Sequence, residues 1–511
     1  MIERERKSRR GGGRSGREKT KNLNEYPAYA ERKINFFEPY SNEQINKIIN
    51  DAEVLLEEVG IDFRDDSEVL EIWEKAGASI ENNRVRFKKG MLREILKTAP
   101  SEFIQHARNP KRNVKIGGKN TVYVPAYGSP FVRDLENGRR YATIADFQNL
   151  VKLAYMLPGC NHSGGTVCEP TDIVVNKRHL DMVYSHMKYS DKPFMGSVTA
   201  PQRAQDTVDM CKILFGEDFV DQNCVVINLI NANSPMVYDD TMLGALKVYA
   251  KNNQACIISP FILAGAMSPV TVVATLTQIV AEAMAGMALT QLVRKGAPVV
   301  FGTFASTTNL QTGAPSFGGP ESSLILYGAA QVARTLKIPF RSGGGLNASK
   351  LPDAQSAYEA TNTLTSATNA GVNFMLHSHG WLEGGLVMSF EKFILDAEQT
   401  QGYMKFLNGP DMSDNGCGIG SWQEVGVGKH FLGCTHTQNN FRTAFYNYTS
   451  SDSNSFEQWE SEGEKTLEMR ANERKKELLA SYQAPELNSE IDNKLQEFIK
   501  NKKDSMPDAN Y

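Results

Sequence analysis

From about residue 120 onward, short apolar segments alternate with longer helical patterns, and this alternation constrains the fold more than any other feature of the chain. The short segments are rich in β-branched or aromatic residues, which is typical of buried strands. Eight such segments are present: TVYVPA (121–126), CNHSGGTV (160–167), PFMGSVT (193–199), CVVINLI (224–230), ACIISPFIL (255–263), PVVFGTF (298–304), PFRSGGG (339–345) and NFMLHSHG (373–380). Strands that alternate with helices predict parallel β/α units.

Helical spacing follows each of these strands. The predicted helices lie near 143–157, 172–189, 201–214, 236–252, 268–294, 319–336 and 353–370, and an eighth begins near 385. Ser268-Pro269 and Gly319-Pro320 each place a capping residue before a proline, which is typical of the first position of a helix. Eight β/α units over this length predict an α/β fold, a closed (β/α)8 TIM barrel spanning residues 120–450.

Two further regions flank the predicted barrel. Residues 31–119 predict a small helical and hairpin region, in which Ser41 and Gln44 form a capping-box pattern before a helix that ends at Gly60. Gly-Gly and Asn-Gly turn signals in VKIGGKNTVYV and FVRDLENGRRY predict β-hairpins. Residues 451–511 predict a charged helical extension divided at Pro485, either an appendage for partners or a helix pair lying against the barrel.

Composition excludes several functional classes. The 511 residues carry a net charge of −3, with 41% apolar and 23% charged residues, which argues against nucleic-acid binding by the body of the protein. Residues 1–30 form a basic, Gly-rich arm that predicts disorder, either a solvated tail or a contact for an acidic partner. Seven cysteines without a C-x-x-C pair, and no apolar leader or membrane span, predict a cytoplasmic protein.

In a (β/α)8 barrel the active site lies at the C-terminal ends of the strands. That rule selects, among others, the aromatic residues Tyr123, Tyr127, Phe304 and Trp381, together with Arg341, His377, His379 and Glu383. Aromatic faces attract a cation and an arginine clamps a carboxylate, so the set suits a small zwitterion. The alternative is that these rings belong to the core. His377 and His379 share a strand face and could serve a metal, but no third ligand is evident, so no metal is expected.

The segment RSGGG (341–345) allows two interpretations. In a barrel, a glycine loop after the seventh strand often binds phosphate, and Lys350 could assist. Glycines also let the backbone pass close to a bulky neighbour or substrate. No Walker or dinucleotide-binding fingerprint is present, so the sequence leaves both interpretations open.

Several long phrases resemble the trimethylamine:corrinoid methyltransferase family. They are GAPSFGGPES (313–322), RSGGGLNASKLPDAQSAYE (341–359), GWLEGGLVMSFEKFILDAE (380–398) and shorter phrases from residue 36 onward. The resemblance implies a barrel that moves a methyl group from an amine to the Co(I) corrinoid of a separate protein. The chain has no D-x-H-x-x-G motif, so it is expected to bind no cofactor itself.

One departure from the family bears on the substrate. Archaeal trimethylamine enzymes carry pyrrolysine at the position that is Leu346 here, which favours the branch resembling glycine betaine methyltransferases. A quaternary nitrogen already bears a full positive charge, so its methyl group is activated toward a strong nucleophile. On this hypothesis Arg341 and His377 hold the substrate carboxylate, and Tyr123, Tyr127, Phe304 and Trp381 form the cage. Glu282 and Glu383 would stabilise the ammonium group or the pair Arg341 and His377. Gly344 and Gly345, which have no side chains, would allow cobalt to approach.

Other functions remain as alternatives at this stage. They are a trimethylamine methyltransferase, a barrel methyltransferase with a folate or thiol acceptor, a non-catalytic betaine-binding protein and a barrel enzyme for a phosphate substrate. The expected partners are a quaternary amine and a corrinoid protein, with neither nucleic acid nor membrane. Which quaternary amine is used, and whether the chain forms a homo-oligomer, are left open by the sequence.

Overall fold

The structure, a computed structural model, describes residues 26–509, so residues 1–25 of the predicted basic arm lie outside it. The chain has an α/β fold of mixed sheets and helices. Its largest sheet contains seven parallel strands, called here the parallel sheet. In spatial order these strands are Phe194–Met195, Val226–Ala232, Ala255–Ala264, Val299–Gly302, Phe340–Gly343, Phe374–His379 and Asn120–Pro125. Each of the seven coincides with a segment predicted as a strand.

Helices follow the strands as the sequence predicts. They are Ile144–Met156, Arg178–Tyr189, Pro201–Phe215, Asp240–Lys251, Val272–Val293, Pro320–Leu336, Ala354–Ala370 and Phe390–Leu407. The predicted start at Gly319-Pro320 is confirmed. The predicted start at Ser268 is wrong, because Gly265 turns the chain with φ +92° and the helix begins at Val272.

The segment 160–167 is not a strand, and the prediction there is wrong. Gly164 has φ +90°, a left-handed conformation that interrupts an extended backbone. The segment nevertheless connects both edges of the parallel sheet: Asn161 N donates to Tyr123 O at 3.0 Å, and Met195 N donates to Gly164 O at 2.8 Å.

The buried Lys192 holds the start of this segment. Its Nζ donates to the carbonyls of Ala154, Leu157 and Cys160 at 2.7, 3.1 and 2.6 Å. These carbonyls lie at and beyond the end of helix Ile144–Met156, where helical partners are missing. One ammonium group therefore satisfies carbonyls that the end of the helix leaves without helical partners.

The two sides of the parallel sheet bury different sets of residues. The side that does not face the helices is called here the inner side. Its apolar group includes Val122, Val124, Ile227, Leu229, Ile257, Val300, Phe374 and Leu376. The outer side packs against the helices and contributes to the largest hydrophobic cluster. Helix Val272–Val293 is long and apolar enough to cross a membrane, but most of it is buried inside the protein.

The N-terminal region contributes helices and small sheets outside the parallel sheet. The predicted capping box at Ser41 is confirmed, with Gln44 as its partner. The first predicted hairpin is wrong, because strand Val114–Gly117 pairs with Glu102–Gln105 instead of the following strand. The second is confirmed as an antiparallel pair, Phe131–Asp134 and Gly138–Tyr141. The remaining elements before residue 100 are Ala30–Glu31, Asn42–Glu58, Ile61–Phe63, Ser67–Ala76, Ser79–Glu81, Arg84–Arg86 and Met91–Leu96.

The C-terminal region forms two helices that lie against the body. They are Leu467–Ser481 and Ser489–Ser505, and Pro485 lies between them as expected. Lys475 pairs with the buried Glu391 at 3.0 Å, and Lys502 pairs with Asp206 at 2.7 Å. The other short elements are Pro110–Arg112, Glu217–Gln222, Val237–Tyr238, Phe304–Thr308, Pro315–Ser316, Trp381–Leu382, Glu383–Gly385, Val387–Ser389, Asp414–Cys417, Ile419–Val425, Thr435–Asn440 and Phe456–Ser461.

Candidate active site

Arg341 is a buried cation without a counter-ion. It lies on strand Phe340–Gly343 and is 1% exposed. Its Nη1 donates to Ser259 Oγ at 2.9 Å and to the carbonyl of Thr303 at 3.1 Å, while its Nε has no partner. Burial lowers the pKa of Arg341 to about 9. Within residues 26–509, no carboxylate lies within ion-pair distance of this guanidinium, although a buried charge is costly without such a partner.

His377 reaches Arg341 because the backbone leaves the strand pattern at that residue. Leu376 faces the inner side of the parallel sheet and Met375 faces the helices. Strict alternation would send His377 toward the helices with Met375. Instead His377 has φ +62°, and the strand pairing shifts between Met375 and His379. The irregularity places the His377 ring 3.0 Å from Arg341, measured from Nε2 to Nη2.

His379 does not join His377. Its Nε2 lies 3.0 Å from Thr400 Oγ1, and its ring contacts Phe393 with centroids 5.5 Å apart, both on helix Phe390–Leu407. The sequence expectation that the two imidazoles share a strand face is therefore wrong. The shift in pairing is the physical reason, because it inverts the alternation between the two residues.

The hydrogen bonds around His377 set two donors against a single acceptor. Its Nδ1 lies 3.2 Å from the backbone N of Tyr127, and its Nε2 faces an N–H of Arg341. A neutral imidazole accepts at only one nitrogen, so either tautomer leaves one N–H facing another donor. Protonation would worsen this conflict, because an imidazolium donates at both nitrogens, and burial and the charge of Arg341 hold the pKa of His377 well below its usual value. An acceptor within reach of both side chains would satisfy both.

An aromatic group adjoins His377. It consists of Phe304, Phe317 and Trp381, all nearly buried. The Trp381 ring lies 4.5 Å from that of His377, 5.8 Å from Phe304 and 6.0 Å from Phe317, centroid to centroid. Asn347 fixes the indole by accepting a hydrogen bond from Trp381 Nε1 at 3.0 Å. Among the described residues, no lysine or arginine lies over these three rings, although other rings of the protein do carry one.

The glycine run brings two segments of backbone together. A Cβ on Gly344 would lie 2.6 Å from Ser378 Oγ and 3.0 Å from Ser378 Cα, and one on Gly345 would lie 3.1 Å from the Ser378 carbonyl. Neither glycine has a positive φ, so close approach is what requires a missing side chain here. Of the two interpretations of RSGGG, the structure favours the steric one.

The phosphate interpretation is not supported, because the backbone N–H groups of the loop are already hydrogen-bonded within the protein. Gly344 N donates to Leu376 O and Gly345 N donates to His377 O, each at 2.9 Å. Leu346 N is also used, by the carbonyl of Gly344. Lys350 is exposed, and its Nζ donates to the carbonyl of Ala348. The loop therefore offers no free row of N–H groups to a phosphate.

The two tyrosines of the first strand lie in different places. Tyr127 packs against the inner cluster of the parallel sheet, and burial raises its pKa to about 12. Tyr123 belongs to the helix-facing cluster, where burial raises the pKa of its phenol. Because successive strand residues alternate in direction, Tyr123 faces away from the inner side to which Val122 and Val124 belong. The structure does not bring Tyr123 together with Arg341.

Neither candidate glutamate contacts the group around Arg341. Glu282, fully buried on helix Val272–Val293, accepts hydrogen bonds from Ser234 Oγ, Met236 N and Gln278 Nε2 at 2.5, 2.8 and 2.9 Å. Burial raises its pKa. Glu282 therefore anchors the loop after strand Val226–Ala232. Glu383 accepts from Arg139 Nε at 3.1 Å and links the hairpin at 131–141 to the segment after Trp381.

Leu346 lies beside the aromatic group rather than beside Arg341. It lines a pocket together with Phe304, Phe317 and Gly343. Helices Pro320–Leu336 and Ala354–Ala370 contribute further lining residues. Leu346 is thus close to the rings but offers them no polar or reactive atom.

Four residues of the site were not singled out from the sequence. They are Ser259 and Thr303, which hold Arg341, Phe317, which completes the aromatic group, and Asn347, which holds Trp381. Phe317 and Asn347 stand inside the phrases that carry the family resemblance, so those phrases were the usable signal. For Ser259 the only signal was its place near the middle of a predicted strand.

Comparison with known proteins decides the family. The family model for trimethylamine methyltransferase (MTTB) matches residues 6–507. The chain belongs to the trimethylamine methyltransferase family. The predicted resemblance is confirmed, and with it the assignment as a methyltransferase.

Curated relatives within the trimethylamine methyltransferase family differ in substrate. Glycine betaine methyltransferase of Desulfitobacterium hafniense is 41% identical over 460 residues, covering 90% of this chain and 96% of that protein. Proline betaine:corrinoid methyltransferase of Eubacterium limosum is 27% identical over 392 residues, covering 74% and 80%. Trimethylamine methyltransferase MttB of Desulfitobacterium hafniense is 25% identical over 484 residues, covering 91% and 94%.

A solved structure supports the fold alone. The crystal structure of the hydroxylamine MtmB complex matches with a TM-score of 0.52 at 11% identity, covering 88% of this chain and 90% of that one. The α/β architecture of this family member is therefore shared with MtmB across nearly the whole chain.

Proposed function

We propose that this chain moves a methyl group from a quaternary amine that carries a carboxylate, such as glycine betaine, to the Co(I) corrinoid of a separate protein. The observation that carries the proposal is the unmatched pair of donors on Arg341 and His377 beside the aromatic group of Phe304, Phe317 and Trp381. The 41% identity to a glycine betaine methyltransferase supports the same substrate class.

The carboxylate is assigned to Arg341 and His377. With Nδ1 accepting from Tyr127 N–H, His377 carries its proton on Nε2 and points it toward the guanidinium. A carboxylate oxygen there would accept from both side chains and supply the negative charge that Arg341 lacks. Charge-assisted hydrogen bonds of this kind are about twice as strong as neutral ones.

The ammonium end is assigned to Phe304, Phe317 and Trp381. These rings adjoin the His377 imidazole, with the centroids of Trp381 and Phe304 4.5 and 5.6 Å from that of His377, so the site of the anion and the site of the cation share one histidine. Each ring contributes about 0.5–2 kcal/mol to a cation at its face, and more when water is excluded. Tyr127 contacts the site through its backbone N–H, which donates to His377 Nδ1.

The methyl group leaves the quaternary nitrogen without its bonding electrons, which stay on nitrogen as the lone pair of a tertiary amine. The Co(I) corrinoid of the partner supplies the electron pair for the new bond. The role of this chain is to fix the substrate and keep the nitrogen dry, so that a methyl group faces the acceptor. No proton transfer is required, which agrees with Glu282 and Glu383 being engaged elsewhere.

Leu346 supports a quaternary rather than a tertiary amine. A tertiary amine needs activation before its methyl group can be transferred, and a leucine side chain forms no adduct with an amine. The neighbouring rings Phe304 and Phe317 line the same cavity as Leu346 and offer only apolar surface.

The parallel sheet is proposed to close into a (β/α)8 barrel, with residues 161–164 in place of the eighth strand. Support comes from the backbone hydrogen bonds that this segment makes to Tyr123 and Met195, one on each edge. The corrinoid is proposed to be carried wholly by the partner protein. A cytoplasmic location is proposed because all seven cysteines are free.

The proposal is tested with the purified protein, Co(I)-cobalamin and a panel of glycine betaine, proline betaine, carnitine, choline and trimethylamine. Methylcobalamin formation is followed by absorbance, and the demethylated amine is identified by NMR. We expect methylation with at least one carboxylate-bearing quaternary amine and none with trimethylamine. Methylation by trimethylamine, or by choline as fast as by glycine betaine, would contradict the proposal. The assay is repeated with the native corrinoid protein if free cobalamin is inert.

A further inference from the structure

Asn231 is an exposed amide near the end of a buried strand. It lies on strand Val226–Ala232, where Ile227 and Leu229 belong to the inner side of the parallel sheet. Side chains alternate along a strand, so Asn231 points to the same side, two residues beyond Leu229. Ile227 and Leu229 are buried, whereas Asn231 is exposed. The inner side of the sheet therefore opens to solvent at the level of Asn231.

A row of inner-side residues connects Asn231 with Arg341. Asn231 pairs with Ser259 on the neighbouring strand. Gly302, on the next strand, lies against Ser259, because a Cβ on Gly302 would be 2.8 Å from Ser259 Cβ. Gly302 in turn pairs with Arg341. Neighbouring strands lie about 4.8 Å apart, so these four residues form a continuous line across the sheet, called here the cross-strand row.

Gly302 lets the guanidinium of Arg341 cross the strand that lies between Arg341 and Ser259. Arg341 Nη1 donates to Ser259 Oγ at 2.9 Å, two strands away. A side chain at position 302 would stand in this path, and its Cβ would also lie 2.8 Å from the carbonyl of Ile258. The guanidinium therefore approaches Ser259 from one side, while Asn231 adjoins Ser259 from the other.

The fold does not use the side-chain amide of Asn231. Among residues 26–509, this amide has no hydrogen-bond partner. Two other asparagines of the same segment are engaged within the protein. Asn228 Nδ2 donates to the backbone of a neighbouring strand at 3.2 Å, and Asn233 Nδ2 donates to Asp239 Oδ2 at 2.9 Å. The amide of Asn231 is therefore available to a ligand.

Phe261 brings the aromatic group to the edge of the cross-strand row. It lies two residues beyond Ser259 on strand Ala255–Ala264 and stacks on Phe304, with centroids 5.2 Å apart and an interplanar angle of 15°. Phe261 is 40% exposed, so the space above Ser259 is open. The cross-strand row and the aromatic group thus border the same opening.

We propose that Asn231 is a further substrate-binding residue, whose Nδ2 donates to one oxygen of the substrate carboxylate. The inference rests on the proposed function, in which Arg341 and His377 bind the same carboxylate. A carboxylate has two acceptor oxygens, so donors on both sides of Ser259 can be used at once. A neutral amide adds a directed donor without a second buried charge. Asn231 therefore favours an anionic carboxylate over an ester or a hydroxyl group, which accept more weakly.

The test measures binding of glycine betaine and of its methyl ester by calorimetry. The ester keeps the trimethylammonium group but is not an anion. We expect Asn231→Ala to weaken glycine betaine about tenfold and to leave the ester unchanged. Asn231→Asp should weaken glycine betaine at least about a hundredfold, because it places a negative charge beside the carboxylate, and should not weaken the ester. Asn46→Asp is the matched control, since Asn46 is exposed on helix Asn42–Glu58.

Thermal unfolding without substrate gives an independent readout. Asn231→Asp supplies a carboxylate to the side of Ser259 opposite the guanidinium, and Arg341 has no counter-ion in the wild type. We expect the unfolding midpoint of Asn231→Asp to rise by about 1–3 °C, and this rise to disappear in Asn231→Asp/Arg341→Met. An unchanged midpoint for Asn231→Asp would place residue 231 too far from Arg341 to share a ligand with it.

The binding data separate a failure of this inference from a failure of the proposed function. The role of Asn231 is wrong if Asn231→Ala binds glycine betaine as tightly as the wild type, or weakens the acid and the ester equally. It is also wrong if Asn231→Asp keeps the wild-type preference for the acid. In each of these cases the wild type still prefers the acid, and the proposed function stands. A wild type without that preference contradicts the proposed function, and the role of Asn231 with it.

Discussion

Replacing Arg341 with methionine separates the role of this side chain in binding from its role in stability. Methionine keeps a long apolar side chain but removes the charge and all donors. In the proposed complex the guanidinium gives charge-assisted hydrogen bonds to the substrate carboxylate, and losing one partner of such a buried pair costs about 3–5 kcal/mol. We therefore expect kcat/KM for glycine betaine to fall roughly a hundredfold to a thousandfold.

Unlike its activity, the free energy of unfolding of the Arg341→Met variant should not fall. The variant loses the hydrogen bonds to Ser259 and Thr303, worth about 1 kcal/mol each. It also removes a fully buried charge that has no counter-ion, whose desolvation costs several kcal/mol. The donor conflict with His377 disappears as well. The free energy of unfolding without substrate should therefore be unchanged or higher than that of the wild type.

The assay pairs kinetics with thermal unfolding. Glycine betaine is compared with its methyl ester, which keeps the trimethylammonium group but lacks the anionic carboxylate. We expect the variant to lose its preference for the acid while the ester is little affected. Arg294→Met serves as the control, because Arg294 is a surface residue paired with Asp221. An equal loss on both substrates, or a clearly lower unfolding midpoint, would refute the account of Arg341.

Four further predictions follow from the same contacts. Trp381→Leu should weaken glycine betaine binding by about tenfold in calorimetry, but should leave 3,3-dimethylbutyrate, which keeps the carboxylate and lacks the cation, nearly unaffected, since only the cation–π attraction is lost; equal losses would contradict this. Gly344→Ala should lower stability by about 1–3 kcal/mol in denaturant unfolding and reduce kcat/KM, because its Cβ would press on Ser378, whereas Gly420→Ala, with open space around it, should be silent. Glu282→Gln should lower stability by about 1–3 kcal/mol with KM nearly unchanged, since its carboxylate accepts three hydrogen bonds within the protein; a selective loss of betaine binding would argue against a structural role. The pH profile of kcat/KM should be flat from about pH 6 to 8 and fall above about 9 as Arg341 loses its proton, because its pKa in the free enzyme is lowered to about 9; a step near pH 6.5 would show that a histidine titrates instead.

The strands of the parallel sheet and the helices that follow them could be predicted, because the pattern of apolar residues that marks each one is local in the sequence. Each strand carries a short run of β-branched or aromatic residues, and each helix repeats apolar residues at helical spacing. The segment 160–167 contains only Thr166 and Val167 of these residue types, and its hydrogen bonds depend on Lys192 and on neighbouring strands. These partners come close only after folding. The local sequence pattern therefore led to the wrong prediction of a strand at 160–167.

The site could be predicted in part. Strand ends selected Arg341, His377 and Trp381, and the structure brings these three together. The direction of His377, however, depends on one left-handed residue inside a strand, which strand periodicity does not predict. Strand-end reasoning also does not say which face a residue occupies, and Tyr123 accordingly falls on the helix-facing side.

The central claim is that Arg341 and His377 hold the carboxylate beside the rings that hold the trimethylammonium group, and a crystal structure with glycine betaine tests it most directly. We expect the carboxylate between Arg341 and His377, within hydrogen-bonding distance of both, and the methyl groups against Trp381 with Phe304 and Phe317 around them. A betaine bound with its carboxylate elsewhere, or with its ammonium away from these rings, would contradict the account.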